Sequence, residues 1–176
     1  TKDEFRTFIK DAREMGIDVV PEFDAPAHSL AFTKVRPDLA MPEDSVTRWA
    51  DHLYLENTES EEFIKGIWNE YLTGKNPVFD KDTIINVGTD EYEGNNDAFR
   101  QFTDNMITFV KDSGRQLRLW GSLTAKPGSV EVQSDDVQLY VWNTGWANPK
   151  AMYNAGFDII NIQDGYVYMV PNGNNN

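Results

Sequence analysis

The chain has 176 residues, a formal net charge of -13 and no cysteine. This length is sufficient for one domain with a sizeable core, and the excess of acidic residues argues against nucleic acid and anionic membranes as partners. The lack of cysteine excludes disulfides, iron–sulfur clusters and thiolate zinc sites, and no apolar run is long enough for insertion across a membrane.

Four segments have the apolar spacing or the punctuation of helices. Thr1 with Glu4, and Thr58 with Glu61, have the spacing of capping boxes that would start the first two helices. Because the first pattern begins at Thr1 itself, we expect the natural N-terminus to lie upstream of it. Helices are predicted over residues 1–15, 58–73, 99–113 and 149–155.

Five short β-branched or aromatic runs lie between these helices and are predicted to be strands. Strands separated by helices indicate a parallel sheet built from βαβ units. The segment 25–57 has no clear period, and so long a loop in a compact domain is usually functional. Residues 126–136 are too polar to assign, and residues 171–176 are predicted to be a loop. The predicted strands cover residues 17–24, 84–87, 117–120, 137–142 and 157–162.

Two adjacent acids, Asp90 and Glu91, follow the most apolar of these strands, residues 84–87. A buried strand cannot hold two carboxylates without several kcal/mol of desolvation, so the strand must end before them. Both side chains are therefore expected at the carboxyl end of the sheet, where parallel α/β proteins bind their ligands. The alternative interpretation is a solvated turn that merely starts the next segment.

The other predicted strands also end in acids and aromatic side chains. This combination favours a carbohydrate site in a TIM barrel over a nucleotide site, because the chain has neither a GxGxxG motif nor a P-loop. Five strands are too few for a complete barrel. We therefore predict an α/β fold, a single partial (β/α)8 TIM-barrel domain over residues 1–176. The side chains at these ends are Glu22, Asp24, Trp120, Trp142, Asp164, Tyr166 and Tyr168.

The segment Asn86–Glu91 resembles the Asp-Glu motif of glycoside hydrolase family 20, the β-N-acetylhexosaminidases. Residues 16–28 resemble that family's third barrel strand and the Pro-small-His turn after it. Thr89 and Ala27 depart from the family pattern, which has smaller residues there. Trp120 and residues 141–142 resemble the aromatic ends of the family's fifth and sixth strands, and residues 166–168 resemble the end of its seventh. Residues 32–39 and 51–53 resemble the long loop of the bacterial surface branch, which includes lacto-N-biosidases.

The resemblance implies a retaining, substrate-assisted hydrolysis of glycosides that carry a 2-acetamido group. Glu91 would be the general acid and then the general base, which favours a raised pKa. Asp90 would accept the acetamido N–H and stabilise the charge of an oxazolinium intermediate. Trp120 and Trp142 would wall the acetamido pocket, and a tyrosine would donate its hydroxyl to the acetamido oxygen. Tyr168 is the preferred donor over Tyr166, and Asp24 and Asp164 complete the predicted substrate-binding set.

The resemblance also implies that His28 couples to the acid/base glutamate through an aspartate of the second barrel strand. His52 has no comparable sequence context and is interpreted as a loop residue. A metal site from Asp24, His28, His52 and Glu91 is conceivable, but no H-x-x-x-H spacing supports it. We therefore predict a site without a metal or another cofactor.

As a piece of that barrel, the chain would contain about strands three to seven. The missing strands would carry an arginine, an aspartate and a tryptophan of the site. A catalytically inactive carbohydrate-binding fragment is therefore the alternative to an enzyme, and an opened barrel could self-associate. The expected partner is a glycan terminated by N-acetylglucosamine or N-acetylgalactosamine. The terminal sugar would be released as a monosaccharide or within a disaccharide. The resemblance favours a secreted or cell-surface bacterial protein, and a cytosolic one stays open.

Overall fold

The structure, a computed structural model, describes residues 1–42 and 50–168. Its centre is one sheet of five parallel strands whose spatial order follows the chain, β1-β2-β3-β4-β5. This arrangement confirms the predicted parallel sheet of an incomplete barrel. The loop predicted over residues 171–176 lies outside the described residues. The strands are Glu22–Ala25 (β1), Ile85–Gly88 (β2), Leu117–Trp120 (β3), Val137–Val141 (β4) and Asp158–Asn161 (β5).

The helices follow the predicted apolar stripes. The capping box of Thr1 and Glu4 is present. The box predicted at Thr58 is wrong, because Thr58 is already helical and the cap is Asn57, whose side chain accepts the N–H of Glu59. Asparagine with an extended backbone is a favoured N-cap, and the sequence pattern alone did not separate the two neighbours. The helices are Lys2–Glu14 (α1), Leu30–Val35 (α2), Thr58–Leu72 (α3), Asn96–Asp112 (α4) and Pro149–Asn154 (α5), with a 3-10 turn at Pro37–Leu39.

The strand predicted over residues 17–24 begins too early. Pairing starts where the Asn86 N–H donates to the carbonyl of Pro21, and β1 carries Glu22 and Asp24 within the strand. Glu22 is exposed within β1, and its carboxylate accepts the Asn86 side-chain amide at 2.6 Å. A register shift between Glu22 and Ala25 marks a local irregularity of the β1–β2 ladder.

The long loop after β1 is more ordered than the sequence suggests. It contains α2, the 3-10 turn and an antiparallel bridge between Ala40 and Leu53. These elements have six and three residues, too few to repeat an apolar spacing over several turns.

The two faces of the sheet differ in character. Leu117 and Leu119 of β3 are buried, whereas Arg118 and Trp120 lie on the opposite face and are partly exposed. This alternation separates a helix-covered core from an open, polar face. Among residues 1–42 and 50–168, no helix combines the length and apolar character needed to cross a membrane.

The connection between β3 and β4 has no helix, although all of residues 121–136 are described. Side chains on the surface of α4 hold this connection instead. Asp97 accepts the N–H of Ser129 at 2.7 Å, and Asp104 accepts the N–H of Gln133 at 2.9 Å. The polar segment that the sequence left unassigned is therefore an irregular strap on α4.

The amino-terminal edge of the sheet is held by one buried cation, Arg115, which is 6% exposed. Its guanidinium donates to the backbone carbonyls of Leu72, Phe79, Asp80 and Ser113 at 2.6 to 3.0 Å. These carbonyls belong to the end of α3, the connection to β2 and the end of α4. Arg115 thus satisfies carbonyl groups that these chain ends leave without a helical partner.

Candidate active site

Gly88 to Glu91 form an acidic turn at the carboxyl end of β2. Gly88, Thr89 and Glu91 all have positive φ, at 81°, 76° and 44°. Positive φ is unfavourable for a β-branched residue such as Thr89, so neighbouring groups must hold the turn. The Thr89 N–H donates to Ala25, its hydroxyl donates to the carbonyl of Trp120, and its carbonyl accepts the hydroxyl of Ser122, each at 2.9 Å.

Close approach of β1 requires a glycine at position 88. A Cβ on Gly88 would lie 2.1 Å from Oδ1 of Asp24 and 2.6 Å from its Cα. The amide of Gly88 also donates to the side chain of Asn86 at 3.0 Å. The motif glycine therefore brings the strand bearing Asp24 directly against the acidic turn.

His28 lies against both acids. Its Nε2 is 3.4 Å from a carboxylate oxygen of Glu91 and 3.8 Å from one of Asp90. The side chains of Asp90, Glu91 and His28 are 14%, 36% and 41% exposed, so solvent or a ligand can reach the cluster. One ligand atom from each of these three residues lies within 4.8 Å of the others, a spacing that could hold a metal ion. The absence of a metal requirement stays a prediction.

Trp142, directly after β4, binds Asp90 through its indole N–H at 2.8 Å. Burial and the charge of Glu91 raise the pKa of Asp90 to about 6, against the opposing effects of the Trp142 hydrogen bond and of His28. Asp90 is thus an acid that changes its charge close to neutral pH, and the indole hydrogen bond favours its ionised form.

Trp120 at the end of β3 takes a different partner. Its indole N–H donates to Glu22 at 3.1 Å, and its ring lies 5.0 Å from that of Tyr140. The two tryptophans therefore stand on neighbouring strands, each tied to a carboxylate. Glu22 was recognised in the sequence as a strand-end acid, but its contact with Trp120 spans 98 positions and has no sequence signal.

Asp24 lies beneath the acidic turn. Burial, followed by the charges of Glu22 and Asp90, raises the pKa of Asp24 to about 8, although the backbone N–H groups of Asp90 and Thr89 favour its charged form. Its Oδ1 is buried and has no hydrogen-bond partner within the described part of the chain. The surroundings of Asp24 therefore favour its protonated form, and its contacts are with the turn that carries Asp90.

The end of β5 brings one predicted tyrosine to the cluster more closely than the other. The ring of Tyr168 lies 6.3 Å from that of Trp142 and is 38% exposed, whereas Tyr166 is 86% exposed. Asp164 donates its N–H to the carbonyl of Trp142 at 2.7 Å and accepts the side-chain amide of Asn143 at 3.2 Å. The structure thus assembles Tyr168 and Asp164 with Trp142 and leaves Tyr166 in solvent.

Two residues of the long loop, Asp51 and His52, approach the acidic turn without having been predicted to do so. Asp51 is 4.0 Å from Nδ1 of His28 and 3.0 Å from Nδ1 of His52. His52 was interpreted as a loop residue, yet it is 3% exposed and its ring stacks on Tyr92 at 5.5 Å. An Asp-His pair flanked by apolar residues was the available signal, and it is a weak one.

A family model described as glycosyl hydrolase family 20, catalytic domain, matches residues 1–96, more than half of the chain. A lacto-N-biosidase of Bifidobacterium bifidum is 26% identical over 181 residues, covering 92% of this chain and 16% of that protein. A beta-hexosaminidase of Emericella nidulans is 24% identical over 203 residues, covering 95% of this chain and 33% of that protein. The chain therefore spans a third or less of these two relatives.

Solved structures agree on the fold. A structure of the pneumococcal virulence factor StrH aligns with 98% of this chain and 47% of its own, at a TM-score of 0.82 and 20% identity. A beta-N-acetylhexosaminidase from Bacteroides fragilis aligns with 90% of this chain and 35% of its own, at a TM-score of 0.71 and 22% identity. The chain thus belongs to glycosyl hydrolase family 20, and its five-stranded sheet is part of a TIM-barrel catalytic domain.

Proposed function

We propose that the protein hydrolyses glycans that end in a β-linked N-acetylhexosamine, releasing that sugar or a disaccharide ending in it. The observation that carries the proposal is the acidic turn, which places Asp90 against the Trp142 indole and Glu91 against His28 at the open end of β2. Two carboxylates in different surroundings are suited to two different tasks.

Glu91 is proposed as the acid and base of the reaction. It is the more exposed member of the pair, and a group with that access can reach a leaving-group oxygen. In the first step, Glu91 donates a proton to the glycosidic oxygen as the C1–O bond breaks. In the second step, it removes a proton from the water that attacks C1 from the face the leaving group occupied.

Asp90 is proposed as the partner of the substrate's acetamido group. In this family the acetamido carbonyl, rather than an enzyme carboxylate, attacks C1 and forms the oxazolinium ring, so the product retains its configuration. An ionised Asp90 accepts the acetamido N–H and stabilises the positive charge that develops on the ring. The hydrogen bond from Trp142 orients Asp90 for this role.

The aromatic groups at the strand ends are proposed to hold the sugar. Trp120, Trp142 and Tyr168 offer rings to the apolar faces of a pyranose, and the Tyr168 hydroxyl can donate to the acetamido oxygen. Trp142 and Tyr168 already stand as neighbours, which supports a common pocket wall.

A second candidate is a carbohydrate-binding fragment without turnover. The observation that favours it is the open sheet: five strands are described, whereas a closed barrel of this class has eight. The two candidates differ in turnover, since a binding fragment would retain N-acetylhexosamine without releasing product.

The test is hydrolysis by the native-length protein of aryl β-glycosides of N-acetylglucosamine and N-acetylgalactosamine, followed by proton NMR. We expect the β-anomer to appear first and a thiazoline mimic of the intermediate to inhibit. An α-anomer as first product, or a covalent ester trapped on a carboxylate by a fluoro-sugar, would contradict the mechanism. Binding with no turnover on either glycoside would favour the second candidate.

A further inference from the structure

Two hydroxyl groups join the acidic turn to the segment that leaves β3. The Thr89 hydroxyl donates to the carbonyl of Trp120, and the Ser122 hydroxyl donates to the carbonyl of Thr89, each at 2.9 Å. Thr89 and Ser122 are both fully buried. Between buried groups a hydrogen bond is costly to break, because the group that loses its partner stays buried. The two segments are therefore tied to each other in both directions.

Threonine is an uncommon residue for the backbone of this turn. Thr89 has a φ of 76°, in a region that is unfavourable for a β-branched side chain. The family 20 pattern has a smaller residue at this position, which adopts the same backbone with less strain. The hydroxyl proton of Thr89 lies between two acceptors, the carbonyls of Trp120 and Gly88. The contact with Trp120 is therefore what a residue without a hydroxyl would lose.

The ring of Trp120 is held from the opposite side by β1. One carboxylate oxygen of Glu22 accepts the indole N–H at 3.1 Å, and the other accepts the side-chain amide of Asn86 at 2.6 Å. The far side of the indole packs on Tyr140, with the ring centroids 5.0 Å apart. Glu22 thus fixes the ring of Trp120, whereas Thr89 fixes its backbone.

We propose that Thr89 and Glu22 are positioning residues that fix Trp120 relative to Asp90. This inference rests on the proposed function, in which Trp120 forms one side of the pocket for the acetamido group that Asp90 binds. Thr89 directly precedes Asp90, so its hydroxyl sets the distance between the carboxylate and the backbone of Trp120. Glu22 sets the direction in which the indole faces. A pocket side that is fixed at both points selects the acyl group of the substrate by size.

The decisive comparison is Thr89→Ala against Thr89→Ser in the native-length protein. Both variants remove the β-branch, and they differ only in the hydroxyl. The quantity measured is the ratio of kcat/KM for aryl N-acetyl- and N-propionyl-glucosaminides, which differ by one methylene. In a closely fitting pocket one methylene changes kcat/KM by about 10- to 200-fold. We expect Thr89→Ala to lower this ratio about fivefold, the value of one hydrogen bond, and Thr89→Ser to keep it within about twofold.

Glu22→Gln tests the other contact of Trp120. The amide has one acceptor oxygen for the two donors, the indole of Trp120 and the amide of Asn86, so the indole is held less firmly. We expect the same ratio to fall, by about two- to fivefold. The control is Glu131→Gln, which makes the same change at an exposed position of the strap on α4 and should leave the ratio unchanged.

A second measurement reports on the indole without any turnover. Fluorine NMR of protein labelled with 5-fluorotryptophan gives one signal per tryptophan, and the signal that disappears in Trp120→Phe belongs to Trp120. We expect this signal to shift in Glu22→Gln and in Thr89→Ala and to keep its parental position in Thr89→Ser and Glu131→Gln. Should Thr89→Ala fold poorly, Ser122→Ala removes the reverse hydrogen bond and should lower the ratio by a smaller factor.

The outcomes separate this inference from the function on which it rests. Equal losses on both glycosides in Thr89→Ala, or the same ratio in Thr89→Ala and Thr89→Ser, would overturn it and leave a purely structural role. A parent that accepts both acyl groups equally would also overturn it. If the parent hydrolyses neither glycoside, the proposed function fails, while the fluorine signal still tests whether Thr89 and Glu22 hold the indole. A signal that is unchanged in both variants would reject the inference outright.

Discussion

The carboxyl ends of β2 and β5 differ in how much of the molecule holds them. The acidic turn after β2 has a strand on each side. One residue of the turn, Thr89, forms hydrogen bonds with Ala25, Trp120 and Ser122. After β5, Tyr168 is 38% exposed and Tyr166 is 86% exposed, and within the described sheet β5 pairs with β4 alone.

The difference separates two requirements of a glycosidase site. Groups that move protons or stabilise charge must be preorganised, and the described strands supply that restraint at β2. Groups that surround a sugar form the side of its pocket. When they lie on an edge strand of a sheet, their position depends on the chain segments that pack beside that strand. Substitutions at the two ends should therefore differ in both size and kind of effect.

The largest effect is expected at the better-held end. Glu91→Gln removes the proposed acid and base and should lower kcat on natural glycans by ~10²-fold or more. Substrates with excellent leaving groups should be spared in their first step, because no proton is then required. Steady-state rates on both substrate types check this. Near-normal turnover on natural glycans would remove Glu91 from its assigned role.

Asp90→Asn should have a comparable or somewhat smaller effect of a different kind. The amide keeps the size of the side chain and loses the charge proposed to stabilise the oxazolinium, so kcat should fall by ~10²-fold. Inhibition by a thiazoline mimic should weaken in parallel, which inhibition constants for parent and variant would measure. A variant that keeps its thiazoline affinity would mean that Asp90 does not face the acetamido group.

The pH dependence should sharpen the contrast further. In the proposed mechanism Asp90 acts in its ionised form, and its pKa is raised to about 6, so kcat/KM should fall as the pH drops through about 6. Trp142→Phe removes a hydrogen bond that favours the ionised form, so this acid limb should move to higher pH. Trp120→Phe is the control, because its indole binds Glu22 and its loss should lower activity without moving the limb. Identical limbs in all three proteins would show that another group titrates there.

The smallest effects are expected at β5. Tyr168→Phe should lower kcat/KM about tenfold, the value of one hydrogen bond to the acetamido oxygen. Tyr166→Phe, the matched control, should stay within about twofold, because that residue lies in solvent. Rates on one aryl glycoside compare the two variants directly. A larger loss for Tyr166→Phe would reverse the assignment of the two tyrosines.

The sequence predicted those parts of the fold whose signals are local. The β-branched run before Asp90, the stripe of α4 and the capping box at Thr1 are all readable from neighbouring residues. The start of β1 was not, because its pairing depends on a bond between Pro21 and Asn86. Local patterns therefore located the other four strands to within one residue at their starts, and β1 is the exception.

The candidate site divides in the same way. Asp90, Glu91 and the strand-end tryptophans could be picked out because they follow recognisable strands. The contacts of Asp51 could not, because they join the long loop to His28, which lies 23 positions earlier in the chain. Such contacts arise only when the fold brings the segments together.

Arg115 has a consequence for how this scaffold could diversify. The Arg115 side chain donates to carbonyls from the end of α3, the connection from α3 to β2 and the end of α4. All of them lie at the end of the sheet opposite the acidic turn. Length changes among residues 72–80 or 113–115 would leave the buried carbonyls of Leu72 and Phe79 without their donor. The lengths of these two segments are therefore constrained by the reach of one side chain, which limits how this part of the scaffold could diversify.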